Sequence, residues 1–145
     1  MLGGIPTQIT DNIFLGSSTD SQDDNILKLL EITHILVAGS YLIAHHPYKF
    51  EYKTISIDDE ENVDISSHFE DSYYFIEDAL LKGKILIHCA AGVSRSATLT
   101  IAYLMRKNKW DLKFTIDFVR DKRKCINPND GFIKQLKLFE DKLFK

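Results

Sequence analysis

The chain has 145 residues, 44% of them hydrophobic, with 18 lysines and arginines against 21 aspartates and glutamates and a formal net charge of −3. This length and composition fit a single domain, residues 1–145, with a sizeable hydrophobic core. A net negative chain is not typical of general nucleic-acid or membrane binders, so neither is expected as a partner.

Targeting signals are not visible at the start of the chain. Residues 1–5 have neither a basic region nor a long apolar stretch, and the longest apolar stretch, residues 35–44, is too short to cross a bilayer. Cys89 and Cys125 form no disulfide framework, which suits a reducing compartment. We therefore expect a cytoplasmic protein, with nuclear access open.

The first half of the chain predicts alternating short elements. Strands are predicted at residues 13–15 and 35–38 with a helix at 24–31 between them, and another strand at 52–57. Ser67 and Glu70 have the spacing of a capping box for the next helix, which Gly83 ends. Its predicted apolar face is formed by Phe69, Tyr73, Ile76 and Leu80.

The second half continues the alternation with a buried strand at residues 85–87 and a helix at 96–107. Asp111 is predicted to open another helix, and Asn127-Pro128 the last one, whose apolar stripe is Phe132, Leu136, Phe139 and Leu143. We predict an α/β fold with a largely parallel central sheet flanked by helices on both faces. Ligands of such sheets bind beyond the carboxyl ends of the strands, which is where Cys89 lies.

The segment His88-Cys89-Ala90-Ala91-Gly92-Val93-Ser94-Arg95-Ser96 joins that buried strand to the helix behind it. A tight loop that feeds a helix aims several backbone N–H groups at one point, and with the helix dipole this makes an anion site. The same groups favour a thiolate over a thiol. We predict that Cys89 is a nucleophile beside a bound phosphate, the arrangement of a phosphatase with a cysteinyl-phosphate intermediate.

The other residues of this loop suit the same chemistry. Arg95 supplies a planar fork for two phosphoryl oxygens, and Gly92 permits positive φ. The Ser96 hydroxyl at the helix start is predicted to stabilise the Cys89 thiolate when it leaves. The substrate phosphate is expected against the loop as a whole: Ala90, Ala91, Gly92, Val93, Ser94 and Arg95.

A phosphatase of this kind needs a general acid for the departing oxygen. The dense carboxylate cluster upstream of Cys89 is Asp58-Asp59-Glu60-Glu61, with Asp64 close behind, on the loop after a predicted strand. Composition does not choose among these carboxylates.

The loop segment fits the HCxxGxxRS signature and resembles the dual-specificity branch of the cysteine-dependent protein phosphatases. Segments similar to others of that family are Thr33-His34-Ile35-Leu36, the YxxIxxxD-like stretch 52–59, Ala102-Tyr103-Leu104-Met105, and 127–132, which reads NPNDGF. The resemblance covers about residues 10–143 and is nearest to the small, single-domain, atypical members.

The resemblance implies a phosphatase that acts on phosphotyrosine, and on phosphoserine and phosphothreonine, in phosphorylated protein substrates, without a cofactor or metal. It places the general acid at Asp59, with Asp58 as the alternative. It also implies that His88 orders the loop through hydrogen bonds.

Several alternatives remain open at this point. Relatives with the same chemistry act on phosphoinositides or RNA ends, but the loop has no lysine for a multiply phosphorylated head group. A phosphopeptide-binding pseudophosphatase is a further possibility, although such proteins usually lose the cysteine or arginine. Cys125 is expected to fill space, or else to be a redox partner of Cys89. The basic run 120–124 is expected to complement a helix dipole. The oligomeric state is not predicted.

Overall fold

The computed structural model describes residues 4–145, which form a five-stranded sheet and five α-helices. The strands are β1 (Thr7–Gln8), β2 (Ile13–Gly16), β3 (Ile32–Ala38), β4 (Glu51–Ile55) and β5 (Lys84–His88), in the order β1-β2-β5-β3-β4. All neighbours are parallel except β1 and β2, which are antiparallel. The predicted, largely parallel sheet is confirmed, and the two-residue strand β1 was not predicted.

The composition of the central strand β5 follows from its position in the sheet. It lies between β2 and β3 and is covered on both faces, so its side chains are apolar on both sides. Ile85 and Ile87 belong to the larger hydrophobic core, whereas Leu86 belongs to a smaller core on the opposite face, as the two-residue period of a strand requires.

Helices cover the two faces unequally. The short helix α1 (Asp24–Leu29) contributes Leu27 to the smaller core. The other four contribute to the larger core: α2 (Phe69–Lys82), α3 (Arg95–Asn108), α4 (Leu112–Lys122) and α5 (Asp130–Leu143). The predicted layering with helices on both faces is therefore confirmed.

Helix α3 is the most buried helix of the described chain, since every residue from Ser96 to Met105 is buried. Its polar residues Thr98 and Thr100 donate their hydroxyl groups to the carbonyls of Ser94 and Ser96, 2.8 and 2.9 Å away. A helix enclosed on all sides has a fixed position. Its first residue, Arg95, is thereby held at the carboxyl end of β5.

The predicted capping box is wrong. Helix α2 begins at Phe69 after a 3₁₀ turn, Ser66–His68, and no side chain caps it. Asp64 Oδ1 instead accepts hydrogen bonds from the Ser66 hydroxyl and the Ser67 N–H. The Asp64 carboxylate binds these groups in a local turn. Ser67 therefore lies within the 3₁₀ turn that precedes the helix and does not cap it.

Other boundaries also shift. The strand predicted at 52–57 ends at Ile55, and the helix predicted at 24–31 ends at Leu29, with Glu31 at φ 64°. Cys125 is exposed and lies beyond α4, so the prediction that it fills space is wrong. Across residues 4–145, no helix combines the length and hydropathy needed to cross a bilayer.

Candidate active site

Cys89 lies directly after β5, in the loop 89–94 that leads into α3, which we call the catalytic loop. Its side chain is buried, with 2% of the residue exposed. The Sγ atom lies 3.0 Å from the hydroxyl oxygen of Ser96, which is in the first turn of α3. The structure therefore brings the predicted nucleophile and the predicted hydroxyl into contact.

The backbone carbonyls of the loop 90–94 are all engaged by groups outside it. Because the N–H and C=O groups of a peptide unit point in opposite directions, carbonyls bound to the outside turn the amides inward. The donors are Ser18 N to Ala90 O, Arg123 Nη2 to Ala91 O, Arg123 Nε to Gly92 O, Asn127 N to Val93 O, and Thr98 N and Oγ1 to Ser94 O. The result is a concave ring of N–H donors next to Cys89.

The electrostatic environment favours the thiolate form of Cys89. Burial alone raises the pKa of this thiol. Hydrogen bonds from the hydroxyl and N–H of Ser96 and from the N–H of Gly92, with the charge of Arg95, outweigh burial and leave the pKa below its ordinary value. The sulfur is therefore prepared as a nucleophile.

Gly92 is required at its position for two reasons. Its φ is +68°, a left-handed conformation that side chains disfavour. A Cβ atom there would also lie 2.6 Å from the carbonyl oxygen of Gly16 at the end of β2. The close approach of the two glycine backbones therefore requires that position 92 has no side chain.

Arg95 is the first residue of α3 and is half-buried. Its Nη1 donates to the backbone carbonyl of Ile57, 3.1 Å away, which fixes one side of the guanidinium. Its Nε is buried and has no hydrogen-bond partner among the described residues. An arginine held in this way keeps its other guanidinium N–H groups available to bind an anion at the loop.

Asp59 is exposed, and its Oδ1 accepts a 2.9 Å hydrogen bond from Nδ2 of Asn129. Asn129 caps α5 with its own side-chain oxygen, and its N–H donates to Oγ of Ser94 in the catalytic loop, 3.0 Å away. Asp59 is thus connected to the loop through a single residue. Within residues 4–145, the Asp58 carboxylate has no comparable hydrogen bond.

His88 is completely buried at the end of β5. Burial lowers the pKa of this imidazole to about 4, and the hydrogen bond to the Cys89 carbonyl, which favours the charged ring, offsets only part of that effect. The ring is therefore neutral at pH 7, and its Nδ1 donates to the carbonyl of Cys89, 3.3 Å away.

Sequence reasoning missed Arg123, which lies just beyond α4. Besides Ala91 and Gly92, its guanidinium binds Oγ1 of Thr7 at 2.8 Å and lies 4.0 Å from the Asp20 carboxylate. The interpretation of residues 120–124 as a helix-dipole complement overlooked this contact. Nothing local distinguishes Arg123 from its basic neighbours, because its partners are more than thirty residues away in the chain.

A thiol of lowered pKa, a ring of amides and a tethered guanidinium at one end of a parallel sheet define a cysteine-dependent phosphatase site. Residues 13–142 match the family model described as "Dual specificity phosphatase, catalytic domain". The chain belongs to this family.

Two curated relatives and one solved structure show how the family matches. The chain is 43% identical to "MAP kinase phosphatase with leucine-rich repeats protein 3" of Dictyostelium discoideum, over 99% of this chain but 17% of that protein. It is 37% identical to "Dual specificity protein phosphatase 1" of Arabidopsis thaliana, over 94% of this chain and 69% of that protein. The human "tyrosine phosphatase-like serine/threonine/tyrosine-interacting protein" superposes with a TM-score of 0.92 at 30% identity, covering 97% of this chain and 98% of the other.

Proposed function

We propose that this chain is a protein phosphatase that hydrolyses phosphotyrosine, and phosphoserine and phosphothreonine, through a cysteinyl-phosphate on Cys89. The observation that carries the proposal is the position of the Cys89 sulfur within the ring of loop amides, beside Ser96 and Arg95. Family membership supports the same reaction class.

In the first step, the Cys89 thiolate attacks phosphorus, the S–P bond forms and the ester P–O bond breaks. The Asp59 carboxylic acid gives its proton to the departing seryl, threonyl or tyrosyl oxygen. Negative charge on the equatorial phosphoryl oxygens is stabilised by the loop N–H groups and by Arg95, which are already in place before reaction.

In the second step, a water attacks the phosphorus and gives its proton to the Asp59 carboxylate. The S–P bond breaks, and the Ser96 hydroxyl stabilises the thiolate as it leaves, from its position 3.0 Å from the sulfur. The products are inorganic phosphate and the free hydroxyl of the substrate. His88 stays neutral and orients the loop through the Cys89 carbonyl.

Protein substrates are proposed over lipid head groups because the loop presents small, uncharged side chains. Ala90 and Ala91 are exposed and carry no charge that would meet a second phosphate. The fully exposed Tyr41 and Tyr48 do not form an aromatic wall buried in the fold, which supports a substrate range broader than phosphotyrosine alone. A thiolate nucleophile must stay reduced, so we also propose a cytoplasmic or nuclear setting, in signalling.

The test is to trap the intermediate. The protein is mixed with a ³²P-labelled phosphotyrosyl peptide, quenched in acid and digested, and the label is mapped. We expect label on Cys89, a loss of label and turnover in Cys89→Ser, and full retention in Cys125→Ser, which removes the other, exposed cysteine. Label on another residue, or turnover by Cys89→Ser, would overturn the proposal.

Substrate class is measured with one peptide sequence carrying phosphotyrosine, phosphothreonine or phosphoserine, in parallel with phosphoinositide vesicles. We expect the highest kcat/KM on phosphotyrosine and measurable turnover of the other two peptides. A higher kcat/KM on the vesicles than on every peptide would replace the protein substrate with a lipid one.

A further inference from the structure

A second group of titratable side chains lies at the end of the sheet opposite the catalytic loop. His34 of β3 is paired in register with Glu51, the first residue of β4, and Asp78 reaches the same place from α2. His34 Nε2 lies 3.2 Å from Oε2 of Glu51 and 3.5 Å from Oδ2 of Asp78. One ligand atom from each residue lies within 4.8 Å of the other two.

His34 is 3% exposed, and its two nitrogens are in different situations. Nδ1 lies 2.7 Å from the Thr33 hydroxyl, and that hydroxyl donates its only proton to the carbonyl of Lys84, 3.2 Å away. With that proton given to Lys84, the Thr33 hydroxyl accepts from Nδ1 in the tautomer that carries its proton on Nδ1. In the neutral ring, this leaves the lone pair of Nε2 pointing towards the two carboxylates.

The buried Nε2 atom forms no hydrogen bond, despite its short distances to two carboxylate oxygens. A hydrogen bond needs its acceptor close to the axis of the N–H bond. When three ligands share a cation, the cation lies on the lone-pair axis of the nitrogen and the carboxylate oxygens lie to either side of it. Ligand atoms that share a cation are therefore close to one another without being hydrogen-bonded, as Nε2 and the two carboxylate oxygens are here.

We propose that His34, Glu51 and Asp78 form a zinc site. Zinc binds imidazole nitrogen and carboxylate oxygen at about 2.0–2.2 Å in tetrahedral geometry, which separates two ligand atoms by about 3.3–3.5 Å. The two distances from Nε2, 3.2 and 3.5 Å, match that separation. Three protein ligands leave the fourth position to water.

The charged groups around the site are compatible with a divalent cation. Lys82 Nζ lies 3.2 Å from the same Oδ2 atom of Asp78, but its side chain is 56% exposed and free to move to solvent. Lys84 is paired with Glu31 instead, 3.2 Å away, and the ring of Phe75 packs edge-on against His34. One imidazole and two carboxylates give zinc an electrically neutral site.

The bound ion would connect an edge strand to the body of the domain. Strand β4 pairs only with β3 and leads directly into the loop that carries Asp59. A zinc ion joining β4, β3 and α2 therefore stabilises the fold at this edge. His34 pairs with Ile85 in β5, so the site lies about 13 Å along the strand direction from Cys89, too far to be part of the reaction centre.

Local sequence spacing carries no sign of this site. The three ligands come from three separate elements, and only the parallel pairing of β3 and β4 and the packing of α2 bring them together.

The experiment is a titration of zinc chloride into the Cys89→Ser/Cys125→Ser protein, since free thiols also bind zinc. Isothermal titration calorimetry measures affinity, thermal unfolding measures stabilisation, and ¹⁵N NMR of the imidazoles identifies the nitrogen that binds. We expect one zinc per chain, a higher Tm with zinc, and a shift of the His34 Nε2 resonance.

Glu51→Gln is the principal test, because Glu51 is 59% exposed and its replacement leaves the fold intact. We expect about tenfold or greater loss of zinc affinity in Glu51→Gln, loss of binding in His34→Gln, and no change in His68→Gln, a half-buried histidine elsewhere. Equal affinity in Glu51→Gln and its parent would overturn the proposal. So would a chain that takes up no zinc and whose His34 shows an imidazolium spectrum, since the cluster would then be an ion pair.

Discussion

Replacing Arg123 by methionine tests whether the catalytic loop is held in place from outside. The side chain is 14% exposed and makes hydrogen bonds of 2.9, 3.3 and 2.8 Å to Gly92 O, Ala91 O and Thr7 Oγ1. A hydrogen bond from a charged group contributes about 1.5–3 kcal/mol. Because one side chain makes all three and one is long, we expect the free energy of unfolding to fall by about 3–5 kcal/mol in total, a large fraction of the usual stability of a domain.

The effect on activity follows from geometry. Without Arg123, the carbonyls of Ala91 and Gly92 lose their outside donor, and the amides attached to them lose their fixed direction. A misplacement of about 1 Å in a reacting site costs on the order of 100-fold in rate. We therefore expect kcat for an aryl phosphate to fall about 100-fold, with weaker inhibition by orthophosphate, at a temperature where the variant is fully folded.

Arg120→Met is the matched control. Arg120 lies in the last turn of α4, three residues before Arg123, and also binds a backbone carbonyl, that of Ile126 at 3.4 and 3.2 Å, but it does not reach the catalytic loop. We expect this variant to lose about 1–2 kcal/mol of stability and to retain kcat. The reasoning is refuted if Arg123→Met is destabilised but keeps both the parent kcat and the parent orthophosphate inhibition.

The remaining predictions concern the reaction and its pH dependence. Asp59→Asn lowers kcat for a phosphotyrosyl peptide about 100-fold or more but much less for an activated aryl phosphate, while Asp58→Asn shows no such difference; the opposite pattern assigns the acid to Asp58. Ser96→Ala raises the pKa of Cys89, because it removes a hydrogen bond that lowers it, so the rising limb of the kcat/KM–pH profile moves to higher pH; an unmoved limb contradicts this role. The pKa of His88 is lowered from 6.5 to about 4, so the unfolded chain takes up a proton more readily. Stability is therefore complete above about pH 6.5 and falls by about 3 kcal/mol as pH decreases through 4, at 1.36 kcal/mol per pKa unit. Urea titrations from pH 4 to 7.5 measure this, and His88→Asn is expected to flatten the dependence.

Features of the site that depend on contiguous residues were predictable. The apolar run before Cys89, the glycine inside the loop and the helix after it together specify a strand, a turn and a helix start. The structure of this segment is predicted correctly from the sequence because its geometry depends on residues that are adjacent in the chain. Gly92 is an example, since the predicted positive φ is present at +68°.

Features that depend on competition or on distant partners were not predictable. Ser67 has the spacing of a capping residue, but Asp64, three residues earlier, takes its N–H into a separate turn. Arg123 is one of several basic residues in a row, and only the folded chain places it against Ala91 and Gly92. The physical reason is the same in both, because a side chain has several partners of similar energy and the fold selects one.

The link between Cys89 and the carboxylate proposed as general acid is the part of the site that depends most on tertiary structure. Arg95 holds the carbonyl of Ile57, and the chain emerges from that fixed point towards the carboxylates. Two residues later, Asp59 is held by Asn129, whose N–H binds Ser94 of the catalytic loop. The loop that carries Asp59 is therefore anchored by Arg95, which directly follows the catalytic loop, and by Asn129, which is hydrogen-bonded to it. This arrangement favours Asp59 over Asp58 on grounds independent of the family motif, because the anchored carboxylate keeps a constant position relative to the sulfur.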